Sequence, residues 1–277
     1  MTQSKATARL LGVIVAAIAA LAVMAPAAMA ETEPAEGYEQ FFGCPDKAEN
    51  EETVTCLRSV VTGGHLNAGN KELPIEKPLE INGGTNAAFE NFDFNSKGGF
   101  LPVAQKVPGG VIGLTGLTWL LELFGSEALT LYATTELAGN PTNFTFSSVT
   151  LPIKVHLTNP AGLLGSTCYL GSDANPIVLN LTTGTTEPPP PNEPITGKQP
   201  KLSADAKGIV HLDEGTFVDN SFAVPGVNGC KLVLFGFIPI SINGLVNELA
   251  GLPAAAGTNE SVQDYSIEFV GRGKVYP

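Results

Sequence analysis

Residues 148–157 read SVTLPIKVHL, and this stretch decides the fold class. Apolar side chains occupy every second position from Val149 to Leu157, while the opposite face holds Thr, Pro, Lys and His. A period of two residues with one apolar face is typical of a half-buried β-strand. Because Pro152 lacks a backbone donor, we expect this strand to lie at a sheet edge or to carry a bulge there.

Short apolar or alternating runs recur along the chain and are separated by turn residues such as Gly, Pro and Asn. They occupy residues 53–61, 79–81, 88–94, 129–135, 177–181, 209–212, 217–219, 231–237 and 266–270. The sequence Leu-Asp-Glu-Gly at 212–215 reads as a hairpin turn. Together these runs give roughly nine to eleven strands and predict an all-β protein, an antiparallel β-sandwich with a barrel as the alternative.

The first 30 residues have the pattern of a cleavable signal peptide. Lys5 and Arg9 precede an apolar run at 10–23, and small residues at 28–30 form an Ala-Met-Ala cleavage site. The apolar run is shorter than the roughly 20 residues that span a membrane. We find no lipobox, no sortase tail and no other segment of membrane-spanning length. We therefore expect cleavage after Ala30 and an extracellular or cell-envelope location.

Charge and composition describe an acidic folded chain. The sequence has 27 acidic residues against 15 basic ones, and its formal net charge is −12 at pH 7. Such a surface argues against nucleic acid and against anionic lipid headgroups as partners. We expect a flexible acidic segment at 31–52, followed by a single β domain at 53–277. Within that domain, the proline-rich stretch at 187–200 is expected to form an exposed loop.

Four cysteines follow the predicted signal peptide, namely Cys44, Cys56, Cys168 and Cys230. An even number in an exported chain indicates disulfides. Three pairings are open, and we favour Cys44–Cys56 with Cys168–Cys230. A zinc site is the rival interpretation, but no two cysteines have the close spacing of zinc ligands and the three histidines are far apart in sequence. We therefore expect no metal.

Two apolar segments, 111–124 and 238–252, break the β pattern and are predicted to be short helical insertions. In the second, Asn243 or Asn247 is a candidate helix cap. The insertions either cover one open end of the sheet as core or form an exposed surface that meets a membrane, a lipid or a partner. The residues of this candidate interaction surface are Ile112, Leu117, Trp119, Leu120, Phe124, Leu245 and Leu249.

Two further stretches look familiar. Residues 168–186 read CYLGSDANPIVLNLTTGTT and precede the proline run, and residues 217–230 read FVDNSFAVPGVNGC. In these stretches the chain resembles uncharacterised secreted proteins of high-GC, Gram-positive actinobacteria. The resemblance implies a bacterial, exported protein and implies no activity.

Catalytic motifs are not evident. The chain has no Gly-x-Ser-x-Gly elbow, P-loop or dinucleotide fingerprint, so we expect no cofactor. His65, His156 and His211 are candidates for a serine-hydrolase triad, but each is also compatible with a solvated histidine on a polar strand face.

Acidic residues give equally weak signals. Asp213 with Glu214, or Asp219, could form a carboxylate pair for glycoside hydrolysis, yet adjacent strand residues point to opposite faces. Residues 91–95, Asn-Phe-Asp-Phe-Asn, resemble a calcium loop without its closing Glu.

The leading functional hypothesis is therefore a secreted or envelope-associated protein that acts by binding or assembly and is not an enzyme. The ligand is unknown, and self-association or an envelope component is an open partner. The alternatives are a lipid- or membrane-interacting module that uses 111–124 and 238–252, and a secreted hydrolase.

Overall fold

A computed structural model describes residues 32–277; the signal peptide predicted at 1–30 lies outside them. Residues Glu33–Pro277 form one unit, built mainly from antiparallel strands with four short helices. The strands are β1 (Thr55–Ala68), β2 (Lys71–Pro74), β3 (Leu79–Thr85), β4 (Phe92–Asp93), β5 (Gly99–Leu101), β6 (Ala104–Lys106), β7 (Tyr132–Leu137), β8 (Ser148–Thr158), β9 (Tyr169–Leu170), β10 (Ile177–Thr182), β11 (Lys201–Ala204), β12 (Val210–Asp219), β13 (Val227–Asn228), β14 (Lys231–Leu234), β15 (Ile238–Ser241) and β16 (Glu260–Gly271). The helices are α1 (Gly110–Thr115), α2 (Trp119–Ala128), α3 (Asn243–Ala250) and α4 (Arg272–Val275).

One large antiparallel sheet dominates the fold and curls into a half-barrel. Its central path runs β13-β9-β8-β10-β12-β16-β1-β3-β4, while β14 and β15 form a separate hairpin. The apolar side chains of β8 face inward, so that its burial alternates from residue to residue. The prediction of an all-β, mostly antiparallel fold is confirmed.

Two bulges lie beside the middle of β16, where the sheet bends. In β1 the register shifts between Val61 and Gly63, and in β12 it shifts between Leu212 and Gly215. Both shifts are opposite Tyr265 or its immediate neighbours. A bulge bends its strand and increases the local twist, so this pair accounts for the curling of the sheet. The hairpin turn predicted at 212–215 is therefore wrong, because these residues form the bulge within β12.

Strand β8 is not an edge strand. It pairs with β7 on one side and with β9 and β10 on the other. Pro152 lies where the pairing with β7 has ended, and its carbonyl accepts a hydrogen bond from Ala138 N at 3.0 Å. Pairing on that side resumes at Thr150 with Thr142. The missing donor of Pro152 thus falls in a local break, which explains how an interior strand accommodates proline.

The acidic segment before β1, expected to be flexible, is packed against the sheet. Phe41 and Cys44 are fully buried in a small second core with Val275. The disulfide Cys44–Cys56 joins the segment to β1. Burial raises the pKa of the Tyr276 hydroxyl to about 12, and this hydroxyl donates a hydrogen bond to Cys44 O.

The proline-rich loop is largely exposed but is anchored to the rest of the unit by hydrogen bonds. The Asn192 side chain donates hydrogen bonds to Asn220 O at 2.9 Å and to Asn259 O at 2.8 Å. Asn220 in turn donates to Glu193 O. The loop therefore belongs to the same folded unit as the strands on both sides of it.

We predict that Tyr265→Phe keeps or raises stability at pH 7 by up to about 1 kcal/mol, since it deletes a buried hydroxyl that has no hydrogen-bond partner among the described residues. Burial raises the pKa of Tyr265 to about 12. Between pH 10 and 12 the unfolded state has therefore lost a proton that the folded state keeps, so the free energy of unfolding falls as pH rises. Urea unfolding at pH 7 and 11 should show a smaller alkaline loss in Tyr265→Phe than in the parent protein. An equal loss contradicts this assignment.

Candidate functional site

Of the thirteen exposed large apolar side chains among residues 32–277, eight lie on α2, on α3 and on the β14–β15 hairpin. The two most exposed of these eight are Phe237 at 74% and Phe235 at 62%. We call this set the apolar rim; it comprises Trp119, Leu121, Leu123, Phe235, Phe237, Ile238, Ile240 and Leu249. Folded chains bury such residues when they can, so a concentration of them on a few neighbouring elements indicates a contact surface.

The two predicted insertions are core on one face and surface on the other. The Leu120 side chain is fully buried, so its assignment to the interaction surface is wrong, whereas Trp119 is 46% exposed. Leu249 on α3 is also exposed. The remaining predicted surface residues are half-buried: Ile112, Leu117, Phe124 and Leu245. The first three pack against the main hydrophobic core.

The second insertion is only partly helical. Residues 238–241 form strand β15, and helix α3 begins at Asn243. The two candidate caps have other roles, since Asn243 Oδ1 accepts from Cys230 N and Asn247 Oδ1 accepts from Val227 N, each at 2.8 Å. Both asparagines thus hold α3 against the segment that precedes the hairpin.

Phe235 and Gly236 form the turn of the hairpin with left-handed backbones, at φ 52° and 78°. Phe237 N donates to Leu234 O across this turn. Such a turn favours Asn or Gly at its first central position, and a bulky aromatic side chain there is strained. Phe235 is therefore poorly suited to turn formation, and strain of this kind often accompanies function.

Hydrogen bonds connect the hairpin to its neighbours at this end of the sheet. Val233 N donates to Leu163 O, and Gly165 N donates to Lys231 O, each at 2.8 Å. In the same loop, the Asn159 side chain donates to Ala128 O at the end of α2. The loop between β8 and β9 thus links the hairpin with α2.

Helix α3 and the second disulfide complete this connection. The Cys168–Cys230 bond fixes the base of the hairpin, where Ile242 N donates to Cys230 O at 3.0 Å. Gly116, which ends α1 three residues before α2 begins, packs close to α3, since a Cβ built on it would lie 3.1 Å from Leu249 Cδ1. The elements that carry the apolar rim are therefore neighbours in space.

The charges around the rim are mostly negative. Glu122 and Glu127 on α2 and Glu248 on α3 are exposed, and Lys231 at the start of β14 is an exposed cation. This arrangement offers no cluster of positive charge for anionic headgroups.

The three candidate histidines are bound to acids or backbone. His65 Nε2 lies 3.0 Å from Glu260 Oε1, and His156 Nε2 lies 2.9 Å from Ser166 O. His211 lies between Asp205 and Glu268. The hydrogen bonds described for these three rings include none with a side-chain hydroxyl, so they do not assemble a Ser-His-Asp arrangement.

Two of the candidate carboxylates have other partners. Glu214 contacts Lys201, whose hydrogen bond and charge lower the pKa of this carboxyl. Asp219 is buried and accepts hydrogen bonds from Asn180 N and from Ser221. Glu214 and Asp219 therefore each have a structural partner.

The stretch at 91–95 is used structurally as well. Asn95 is buried, and its amide donates to Phe42 O and Cys44 O. Across residues 32–277, His, Cys, Asp and Glu side chains form no group of three or more that could hold a metal ion.

Within the same range, no helix combines the length and apolar character needed to cross a membrane. The two disulfides indicate an oxidising environment outside the cytoplasm. No protein-family model, curated protein or solved structure matches this chain.

Proposed function

We propose that this chain is an exported, non-enzymatic binding protein that docks on a lipid surface through the apolar rim. The observation that carries the proposal is the exposure of the rim side chains, above all the two phenylalanines at the hairpin tip. The disulfides, the signal-peptide pattern and the resemblance to secreted actinobacterial proteins support export.

A lipid surface suits the rim for two reasons. Phe235 and Phe237 extend from a narrow two-stranded hairpin, which can enter a headgroup layer with little displacement of lipid. Trp119 adds an aromatic ring of the type that prefers membrane interfaces. Because the charges near the rim are mostly acidic, we assign a neutral or zwitterionic surface.

Phe237→Asp should weaken binding to phosphatidylcholine vesicles by tenfold or more, because burial of a Phe side chain is worth about 1.5–3 kcal/mol. Flotation of the protein with vesicles measures the loss. Leu202→Asp is the matched control, since Leu202 is 70% exposed on β11, outside the rim. The proposal fails if both variants float as the parent does, or if the parent does not bind. The proposal is also overturned if Phe237→Asp loses self-association on gel filtration but binds vesicles as the parent does.

Phe235→Asn separates turn formation from docking. Asn suits the left-handed position better than Phe, so the free energy of unfolding should stay unchanged or rise by about 1 kcal/mol. Vesicle binding should weaken severalfold at the same time, because an exposed aromatic anchor is lost. Urea unfolding and vesicle flotation of the same preparation measure the stability and the vesicle binding of this variant. Unchanged vesicle binding would assign Phe235 no part in docking.

A further inference from the structure

A polar cleft of about 400 Å³ lies where the end of β1 and the start of β16 meet the proline-rich loop. All nine residues that line it are polar or glycine. Its volume falls within the roughly 300–1,000 Å³ of small-molecule sites, most of which have apolar walls. Polar walls in a cleft of this size indicate a ligand that is itself polar and forms several hydrogen bonds.

Strand pairing places three of the lining side chains in one row. Asn67 on β1 is directly opposite both Glu72 on β2 and Glu260 on β16. Residues that are directly opposite on neighbouring strands have their side chains on the same face of the sheet. Leu66 and Ala68, on either side of Asn67, are buried on the other face. The row therefore presents an amide between two carboxylates on the face away from the core.

The same three side chains keep hydrogen-bonding groups without partners among the described residues. Asn67 Oδ1 is buried and unpaired, and Nδ2 of this amide makes none of the described hydrogen bonds. Glu72 is exposed and has no described ion pair, while Glu260 contacts His65 through Oε1 alone. Folded proteins pair nearly all their buried polar groups, so an unpaired amide between two carboxylates needs an explanation. A ligand in the cleft would supply the missing partners.

The walls around this row are fixed by hydrogen bonds. Asn259 accepts from Gly69 N at 2.9 Å and donates to Phe222 O at 3.0 Å. In the proline-rich loop, Asn192 donates to Asn259 O from its side chain and to Gly257 O from its backbone. The turn after β1, the start of β16 and the loop are thus held together before any ligand arrives. Such preorganisation lowers the ordering cost of binding.

The chemistry of the cleft fits a neutral saccharide. Carboxylates accept hydrogen bonds from sugar hydroxyls, and amides both donate and accept. The lining charges are the carboxylates of Glu72 and Glu260 and the ammonium of Lys71, which already donates to Gly113 O at 2.8 Å. An acidic sugar would therefore be repelled. We propose that this cleft binds a neutral saccharide, with Asn67, Glu72 and Glu260 as its hydrogen-bonding row, independently of lipid docking at the apolar rim.

Titration of the full exported chain with maltose, cellobiose, mannobiose and galactobiose tests the site, with the NMR shifts of the Gly69 and Thr258 amides as the readout. We expect at least one of these disaccharides to bind with a dissociation constant of about 1 mM or tighter. Digalacturonic acid should bind at least tenfold more weakly than the best of them. The cleft assignment is overturned if none of the four neutral sugars binds at about 10 mM. Equal binding of the acidic sugar overturns it too, as does calcium chloride that shifts both amides when no sugar does.

Two variants locate the binding in the row. Glu72→Ala should weaken it at least tenfold, whereas Glu90→Ala, which removes an exposed glutamate outside the cleft, should bind as the parent does. Asn67→Ser should weaken it as much while the free energy of unfolding stays unchanged or rises, because the variant deletes an unpaired buried acceptor. Retained binding in both Glu72→Ala and Asn67→Ser contradicts the proposal.

The saccharide site and the lipid-docking surface can be told apart in the same set of proteins. Phe237→Asp should bind the disaccharide as the parent does, and Glu72→Ala should float with vesicles as the parent does. Loss of saccharide binding in Phe237→Asp would show that the cleft is not an independent site and would overturn the proposal.

Discussion

Loss of the Cys168–Cys230 disulfide should lower the free energy of unfolding by about 4 kcal/mol. The bond spans 62 residues of sequence, so in the chain-entropy view its removal frees a long loop in the unfolded state. Both sulfurs are buried, and the double variant Cys168→Ala/Cys230→Ala avoids leaving a free thiol there. Urea unfolding monitored by circular dichroism measures the change.

The second disulfide provides the matched control. Cys44–Cys56 spans 12 residues, for which the same relation gives about 3 kcal/mol. Because Cys230 is at the base of the hairpin, its removal should also weaken vesicle binding, which loss of Cys44–Cys56 should leave unchanged. A larger stability loss from the short loop, or equal vesicle binding by both variants, contradicts this account.

Asp219→Ala should lower the free energy of unfolding by about 3 kcal/mol, since charge-assisted hydrogen bonds contribute about 1.5–3 kcal/mol each. The carboxylate accepts from Asn180 N at 2.6 Å and from Ser221 N at 2.8 Å. Strands β10 and β12 are otherwise paired in register only at Thr182 and Val218. Asp219 therefore joins β10 to β12 at the point where the two strands have little other pairing. We call this junction the seam.

Asp219→Asn is the corresponding control, because it keeps one acceptor oxygen and nearly the same shape. Asp219→Asn should lower the free energy of unfolding by about half as much as the alanine variant does. Hydrogen exchange at Asn180 N localises the effect, and it should accelerate in Asp219→Ala. Unchanged protection at Asn180 together with full stability would show that the carboxylate does not hold the seam.

Strand periodicity and cysteine spacing made much of the fold predictable. The alternation at 148–157 corresponds to β8, and the favoured cysteine pairing is the one that the structure contains. The alternation of apolar and polar side chains indicates which face of a strand is buried, and a stretch of about ten residues is enough to show it. It predicts strands and an antiparallel fold class.

The curvature and the environment of Pro152 were not predictable in this way. The Leu-Asp-Glu-Gly sequence at 212–215 is compatible with a turn and with a bulge, and the pairing with β16 selects the bulge. Likewise, Pro152 is tolerated because β7 ends beside it, which depends on residues outside the strand. Both features arise from long-range pairing.

Only part of the apolar rim is predictable from the sequence. The sequence marked Trp119 and Leu120 alike, but one is half-exposed and the other fully buried, because a short helix buries a single face whose direction depends on its docking. The apolar run at 231–237 predicts a strand that includes Phe235 and Phe237, whereas strand β14 ends at Leu234. The intervening Gly236 was the available signal for a turn between them.

Fluorescence of Trp119 tests lipid docking most directly, since it is the single tryptophan and lies in the apolar rim. In the oxidised protein without lipid, its emission should be at long wavelength, as expected for a half-exposed ring. Addition of phosphatidylcholine vesicles should move it to shorter wavelength in the parent and in Leu202→Asp, but much less in Phe237→Asp. Emission that vesicles in large excess leave unmoved in the parent would contradict docking through the rim.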